Sequence, residues 1–301
     1  MMAAMVLNSL RGEMRLNESM ARHTTWRVGG PAERYYMPAD VSDLSLLLSQ
    51  LDENETLVWL GLGSNVLVSD EGIRGTVIAT SGMLNEMAML APLRLRVESG
   101  VACAKVAKFC ARNDLLGVEF LAGIPGTMGG ALAMNAGAFG GEIWEYVTAV
   151  EVIDREGQVK LRQASEFSVG YRRVDGCDDE WFIAAHLELK SGDGVKAAQH
   201  IKKLLERRGQ TQPTGCPTCG SVFRNPENDF AGRLIEASDL KGYCIGGACI
   251  SEKHANFIVN TGTASASDIL ALIKKVSLTV EQKFGVLLEP EVKLLGDGHE
   301  L

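Results

Sequence analysis

Apolar and polar residues recur with the period of a helix in three parts of the chain. In the clearest, one apolar face is formed by Val101, Ala102, Val106, Phe109 and Cys110. Similar spacing runs from Val195 to Leu205 and from Ile269 to Val280. Ser265 and Asp268 stand in capping-box spacing just before the last of these segments. The pattern therefore predicts three amphipathic helices.

Strand-like runs fill much of the remaining chain. They are LVWLG, TVIAT, LRLRVESG, VTAVEVID, WFIAAHLELK, HANFIVN and EPEVKLLG. Helices and strands mixed in this way predict an α+β fold. The 301 residues are enough for about two domains. The polar stretch 190–194 is the best candidate boundary, and the loop-like stretch 209–220 is a second change of character.

Two glycine clusters interrupt this pattern. GLGSN at 61–65 lies between the apolar runs LVWL and VLV, and residues 123–141 hold seven glycines in 19 positions. We attribute the enrichment to a backbone that must approach an anion closely, although tight turns and close packing are an equally good explanation for either cluster alone. GLGSNV lacks the third glycine of the dinucleotide fingerprint and leads into a strand, and no GxxxxGK[ST] occurs. Taken by itself, this pattern predicts that the protein binds a phosphorylated ligand such as a nucleotide.

Composition narrows the class of protein. Apolar residues make up 46% of the chain and the net charge is -8, which indicates a folded protein and argues against a general binder of nucleic acid or membrane surfaces. The uncharged stretch 120–141 is too rich in glycine for a membrane span. Seven cysteines and no secretory signal pattern favour a reducing cytoplasm.

The stretch CPTCGSVFRNP contains two cysteines close to Ser221. A zinc site there would need two more soft ligands, and Cys244 and Cys249 are the nearest pair, so we expect no metal. A thioredoxin-like pair lacks its βαβ setting. We expect reagents that modify Cys216 or Cys219 to inhibit the protein. The Ser221 hydroxyl alone suggests only a turn residue after Gly220.

Seven motifs in order resemble one family, the UDP-N-acetylenolpyruvoylglucosamine reductases. They are HTTWRVGGPAERYYMP, GLGSNVLVSD, GIPGTMGGALAMNAGAFG, SVGYRRV, GSVFRNP, SEKHANFIVN and LEPEVKLLG, and they extend from about His23 to Gly296. The resemblance implies an FAD-binding fold of the vanillyl-alcohol-oxidase-like (PCMH) type followed by a C-terminal α/β substrate domain. The chain resembles the shorter type of the family, which lacks a substrate-capping loop that carries a tyrosine.

The resemblance also implies cofactors and domains. FAD is bound and NADPH is the co-substrate that reduces it. The implied FAD-binding residues are Gly61, Leu62, Gly63, Ser64, Asn65, Val66, Gly123, Ile124, Pro125, Gly126, Thr127, Gly129, Gly130, Ala136, Gly137 and Ala138. Residues 1–22 would be an extension, 23–190 the FAD-binding domain with subdomains of about 23–80 and 81–190, and 191–301 the substrate domain. We expect a cytoplasmic monomer whose partners are NADPH and a UDP-sugar.

The same resemblance assigns roles in reducing an enolpyruvyl ether. Ser221 would protonate the carbanion, Arg172 would hold the substrate carboxylate, and Glu291 would polarise the carboxylate or pass a proton. Arg173 and Glu289 are the neighbouring rivals. Tyr171, Arg224 and Asn225 would bind the substrate, whereas His254 is expected to be structural. The alternatives are a flavin-binding protein without catalysis and a zinc-dependent regulatory or redox protein.

Overall fold

The computed structural model describes residues 9–296. Within this range the chain forms six α-helices. They are α1 (Val41–Gln50), α2 (Cys103–Arg112), α3 (Met128–Ala133), α4 (Gly194–Thr211), α5 (Ala231–Ala237) and α6 (Ala266–Phe284). The three predicted helices are confirmed as α2, α4 and α6. The apolar face predicted for α4 was wrong in part, since Val195 is 70% exposed and Leu205 38% exposed, whereas Ala197, Ile201 and Leu204 are buried. The capping box is also confirmed, since Ser265 Oγ accepts from the Asp268 amide at 3.0 Å and Asp268 Oδ2 accepts from the Ser265 amide at 3.0 Å.

Twenty β-strands accompany these helices in the described range. They are β1 (Glu13–Ser19), β2 (Pro31–Met37), β3 (Leu57–Leu60), β4 (Val66–Val68), β5 (Ile73–Ala79), β6 (Met87–Ala91), β7 (Arg94–Glu98), β8 (Leu115–Leu116), β9 (Gly137–Ala138), β10 (Gly141–Glu142), β11 (Val147–Asp154), β12 (Val159–Gln163), β13 (Ser168–Gly170), β14 (Arg173–Asp175), β15 (Glu180–Glu188), β16 (Lys190–Ser191), β17 (Cys244–Ile245), β18 (Ala248–Ile250), β19 (Ile258–Asn260) and β20 (Lys293–Leu295). Each predicted strand run contains one of them. The predicted mixed α+β class is therefore confirmed.

The chain divides into two compact units built from interleaved segments. Of the described residues, the first unit contains 9–15, 34–61 and 75–204, and the second contains 16–33, 62–74 and 205–296. The hydrophobic pattern does not indicate this interleaving, because it reports local elements and not the segments that pack together.

A five-stranded antiparallel sheet, in the order β12-β11-β15-β7-β6, forms the centre of the first unit. Its central register places Ala185 of β15 opposite both Val150 and Val97, and all three are fully buried. Buried faces of α2 and α3 belong to the same core. A second sheet has the order β1-β2-β5-β3, and α1 buries Leu44 and Leu47 against Tyr36 and Ile78.

The second unit is built around α6. Ile269, Leu272 and Ile273 of this helix are fully buried and share a core with α5 and the three-stranded sheet β17-β18-β19. The helix ends at Gly285, whose φ of 68° is the left-handed conformation that glycine accepts most easily. The parallel strands β4 and β20 pair with Leu67 opposite Leu294. This pairing places the residues just after the first glycine cluster beside the C-terminal motif.

Among residues 9–296, no helix is both long and apolar enough to cross a membrane. The uncharged stretch 120–141 contains a turn of 3-10 helix, the short helix α3 and the strands β9 and β10.

Candidate active site

The first glycine cluster carries backbone amides that remain available for a ligand. Within residues 9–296, the amides of Leu62, Gly63 and Ser64 donate no hydrogen bond. Gly63 has φ +66°, and a Cβ there would lie 2.0 Å from the carbonyl oxygen of His23. Glycine is therefore required at this position for both its backbone conformation and the space behind it. Successive N–H groups around a left-handed residue form a cradle for an anion such as a pyrophosphate.

In the second glycine cluster, several glycines pack closely against other protein atoms, which is the alternative that the sequence left open. A Cβ on Gly129 would lie 2.8 Å from Ser99 Cβ, one on Gly123 would lie 2.5 Å from the Phe139 ring, and one on Gly141 would lie 2.7 Å from the Phe120 ring. These glycines let protein atoms pack closely, whatever they do for a ligand. Close packing therefore explains glycine at these positions, and their role in binding a ligand stays a prediction.

Helix α3 starts inside this second cluster, where Thr127 is its N-cap. The amides of Met128 and Gly129 already donate to Val101 O and Ser99 O, both at 2.8 Å. Gly130 is the open position: its amide lies 3.5 Å from Thr127 Oγ1, and a Cβ there would meet only that atom, at 3.7 Å. Thr127 also lies against Gly61, since a Cβ on Gly61 would be 2.4 Å from Thr127 Oγ1.

Tyr171 and Arg172 form the turn between β13 and β14, where Gly170 pairs with Arg173. Arg172 has φ +55°, and its guanidinium donates to Gly137 O at 2.8 Å and Asn135 O at 3.4 Å. It also lies 5.1 Å from the centre of the Tyr171 ring. The turn thus brings Arg172, Tyr171 and the second glycine cluster together within the first unit.

Arg173, the rival arginine, has a different environment. Its side chain is 69% exposed and pairs with Asp175 at 2.8 Å. Asn135 supports the Arg172 turn from the other side, because its buried amide donates to Gly170 O at 3.1 Å and to Glu142 Oε2 at 2.7 Å. Asn135 was not predicted as a site residue, although an asparagine in an apolar stretch is a signal of a buried polar contact.

Ser221 and Glu291 lie on neighbouring segments of the second unit. Phe223 forms an antiparallel bridge with Pro290, and the Glu291 amide donates to Val222 O at 2.8 Å. Ser221 is half-buried, and its hydroxyl makes no hydrogen bond within residues 9–296. Burial and the negative charge of Glu291 raise the pKa of Cys219, two residues before Ser221.

Asn65 connects the first glycine cluster to the same region. Its side-chain amide donates to Glu291 O at 3.1 Å, and its carbonyl accepts from the Lys293 amide at 3.0 Å. The structure therefore brings Asn65, Glu291 and the Ser221 segment together in the second unit. The rival Glu289 has a side chain that is 72% exposed and lies 3.7 Å from Arg224 Nη1.

Asn256 holds the Ser221 segment, and it was not predicted as a site residue. Its Oδ1 accepts from the Phe223 amide at 2.9 Å, and its Nδ2 donates to Phe223 O at 2.8 Å. It belongs to the motif SEKHANFIVN, but that motif does not show which segment it contacts.

Two other residues of these motifs have structural contacts. Asn225 Oδ1 accepts from the amide of Ala231, at the start of α5, at 3.1 Å. His254 packs on the Phe257 ring at 4.7 Å, its Nδ1 accepts from the Asn256 amide at 3.3 Å, and burial lowers its pKa. These contacts agree with the structural role expected for His254.

Two of the seven cysteines are bonded to each other, and the other five are free. Cys244 and Cys249 lie opposite each other in β17 and β18 and are joined by a disulfide, which leaves neither thiolate to complete a site with Cys216 and Cys219. Among the described residues, no three histidine, cysteine or acidic side chains come together as metal ligands. Cys216 is exposed and Cys219 is buried.

Known proteins define the class to which this fold and site belong. The family model described as "FAD binding domain" matches residues 32–161, and the model described as "UDP-N-acetylenolpyruvoylglucosamine reductase, C-terminal domain" matches residues 212–295. The free amides of Leu62, Gly63 and Ser64 suit the pyrophosphate of FAD. The protein is an FAD-dependent oxidoreductase, and the predicted FAD-binding fold with a C-terminal domain is confirmed.

Individual relatives specify the family. The UDP-N-acetylenolpyruvoylglucosamine reductase of Methylococcus capsulatus is 56% identical over 95% of this chain and 94% of its own length. That of Nitrosococcus oceani is 58% identical over 96% of this chain and 97% of its own. The crystal structure of the Thermus caldophilus enzyme (MurB) aligns with a TM-score of 0.81 and 32% identity, covering 95% of this chain and 99% of that one. The chain belongs to the UDP-N-acetylenolpyruvoylglucosamine reductase family.

Proposed function

We propose that the protein uses NADPH to reduce UDP-N-acetyl-3-O-enolpyruvoylglucosamine to UDP-N-acetylmuramate, a step of peptidoglycan precursor synthesis. The observation that carries this proposal is the 58% identity to a reductase of that name over 96% of the chain. Bound FAD would receive a hydride from NADPH and transfer it to the enolpyruvyl group. The side chains must then bind the substrate, stabilise negative charge and deliver a proton.

Two groups of residues are proposed to hold FAD. The free amides of Leu62, Gly63 and Ser64 support a role in binding the pyrophosphate, with Gly61, Asn65 and Val66 completing that segment. In the second cluster, the open side of Gly130 supports a close approach by the cofactor. The remaining members proposed from the motif are Gly123, Ile124, Pro125, Gly126, Thr127, Gly129, Ala136, Gly137 and Ala138.

Arg172 is proposed to grip the substrate carboxylate. A guanidinium fork can donate two hydrogen bonds to a carboxylate, and it remains charged throughout the pH range of the reaction. Its present bonds to the carbonyls of Gly137 and Asn135 fix the side chain in one orientation, so less entropy is lost on binding. Tyr171, Arg224 and Asn225 are proposed to bind the rest of the substrate.

Ser221 is proposed to donate the proton. Hydride addition to the CH2 carbon leaves negative charge on the neighbouring carbon and its carboxylate. An alcohol is a weak acid, but this carbon is a strong base, so a correctly placed hydroxyl is sufficient. The Ser221 hydroxyl has no hydrogen-bond partner among residues 9–296, which supports its availability to the substrate. Glu291 is proposed to polarise the carboxylate or to relay the proton.

We also propose residues 23–190 as the FAD-binding domain and 191–301 as the substrate domain, in a cytoplasmic monomer. Sedimentation of the purified protein with and without FAD would test the monomer, and a dimer in both would contradict it.

The proposed activity can be tested on the purified protein. We expect a flavin spectrum, loss of its colour on anaerobic addition of NADPH, and recovery when the enolpyruvyl substrate is added, with one UDP-N-acetylmuramate formed per flavin. Loss of colour without recovery would indicate a flavin-binding protein that does not act on this substrate. The absence of any flavin would contradict the proposal as a whole.

A further inference from the structure

The two residues that follow Ser221 have all four backbone polar groups bonded, three of them by Asn256. The Val222 amide donates to Asn256 O at 2.9 Å, the Phe223 amide donates to Asn256 Oδ1 at 2.9 Å, and Phe223 O accepts from Asn256 Nδ2 at 2.8 Å. The fourth group, Val222 O, accepts from the Glu291 amide at 2.8 Å. Asn256 therefore bonds the backbone of Val222 and Phe223 as a neighbouring β-strand would, on the side opposite Glu291.

Few side chains can make this contact. A single planar amide offers one acceptor and two donor hydrogens, and here it bonds both the N–H and the C=O of the same residue. Asn256 is 3% exposed and Phe223 is 2% exposed, so water cannot replace a lost bond easily. Buried polar groups left unpaired are costly, which makes this arrangement strongly preferred.

The backbone–backbone hydrogen bonds nearest to Ser221 in sequence lie on this side. Gly220, which precedes it, has φ +86° and no side chain, and a Cβ there would meet nothing within 4 Å. Before Gly220, the chain is held at the buried Cys219 and at Pro217, whose carbonyl accepts from the Asn260 backbone amide at 3.0 Å. The bonds at Val222 lie closer to Ser221, only one residue after it.

We propose that Asn256 is a positioning residue that holds the Ser221 hydroxyl where it can protonate the substrate. The inference rests on the proposed function and adds a residue that does not touch the reacting atoms. Asn256 is itself held in place by the turn between β18 and β19. In this turn the Phe257 amide donates to His254 O at 3.0 Å, and the Ser251 amide donates to Phe257 O at 2.8 Å.

The test compares two buried asparagines in the FAD-loaded protein. Asn260 is 5% exposed. Its side-chain Nδ2 donates to Trp26 O at 2.8 Å and its Oδ1 accepts from the Gly262 amide at 2.7 Å, and the side chain makes no bond to the Ser221 segment. We expect Asn256→Ala to slow flavin reoxidation by the enolpyruvyl substrate about 100-fold, because a shift of about 1 Å has that effect, and to leave reduction by NADPH within about twofold. In the folded fraction of Asn260→Ala, each of the two rates should differ from that of the wild-type protein by less than about twofold.

A readout independent of catalysis accompanies these rates. Amide hydrogen exchange at Phe223 should accelerate in Asn256→Ala and remain unchanged in Asn260→Ala. Equal slowing of both half-reactions by Asn256→Ala, or equal effects of the two variants on reoxidation, would overturn the positioning role. Failure of the wild-type protein to reoxidise with the substrate would instead contradict the proposed function.

A second variant covers the case in which Asn256→Ala does not fold. In Asn256→Asp, an ionised carboxylate cannot donate to Phe223 O, but the protonated acid can donate and accept as the amide does. Burial disfavours the charged form, so the reoxidation rate relative to wild type should rise by about tenfold as the pH falls. His254 contacts Asn256, and Lys241 and Glu236 act on His254, but all three are present in wild type and cancel in the ratio. A ratio independent of pH would overturn the proposal.

Discussion

At the scale of single residues, the two adjacent arginines differ in what they contact. Arg172 is oriented by two backbone carbonyls and the Tyr171 ring, whereas Arg173 forms an exposed pair with Asp175. We expect Arg172→Ala to lower kcat/KM for the enolpyruvyl substrate by about 100-fold or more, since it removes a charged partner of the developing anion. Arg173→Ala should change it by less than about twofold, because exposed ion pairs contribute little. Steady-state kinetics in which both variants lose activity equally would contradict the assignment.

Two glycines provide a matched pair at the same scale. Gly63→Ala places a methyl group 2.0 Å from His23 O in a left-handed conformation, so we expect a lower Tm and less bound FAD. Gly209→Ala lies within α4, where a Cβ meets nothing within 4 Å, and should stabilise the protein by about 0.5–1 kcal/mol through its helix propensity. Thermal unfolding and flavin absorbance per protein measure both effects. Full FAD content in Gly63→Ala would contradict the role of this segment.

At the scale of elements, Asp43 links α1 to the chain before β1. Burial acts to raise the pKa of Asp43, but hydrogen bonds from the Tyr36 hydroxyl and from the amides of Arg11, Ala39 and Gly12 outweigh it and lower the pKa. A carboxyl whose folded-state pKa is depressed stabilises the fold above its unfolded pKa of about 3.9, and that contribution is lost as the pH falls through the folded value.

Asp43→Asn should therefore lower the free energy of unfolding at neutral pH and flatten its decline below about pH 4. Urea unfolding from pH 7 down to pH 3 measures both effects. Asp193 offers a control, because its carboxylate forms an exposed ion pair with Lys196 and accepts the Lys196 amide at 3.0 Å, a bond that asparagine can also accept. Asp193→Asn should therefore leave the unfolding free energy at neutral pH within about 0.5 kcal/mol. An equal loss in both variants would contradict the importance of the Asp43 contacts.

The predictability of elements follows their length and periodicity. The helices α4 and α6 have 18 and 19 residues, and their apolar faces persist over several turns, so the pattern shows them plainly. Helix α3 has six residues, two of them glycine, and it depends on packing against Ser99 and Val101. Such a helix is stabilised by tertiary contacts and leaves no periodic signal.

At the scale of the whole molecule, the sequence pattern does not show which distant segments pack together. The indole of Trp26 donates to Ile258 O at 2.8 Å, and β4 pairs with β20, so early and late segments build one unit. The same limit applies to the candidate site. Ser221, Arg172 and Glu291 were predicted through motifs, whereas Asn256 acts through a contact with Phe223 that lies 33 residues away in sequence.

The central claim is that the Ser221 hydroxyl delivers the proton to the reduced substrate. The most direct measurement is anaerobic, rapid-mixing spectroscopy of Ser221→Ala loaded with FAD. The account predicts that NADPH reduces the flavin at the wild-type rate and that the enolpyruvyl substrate then fails to reoxidise it on the wild-type time scale. Reoxidation at the wild-type rate, or an equal loss of both steps, would contradict it.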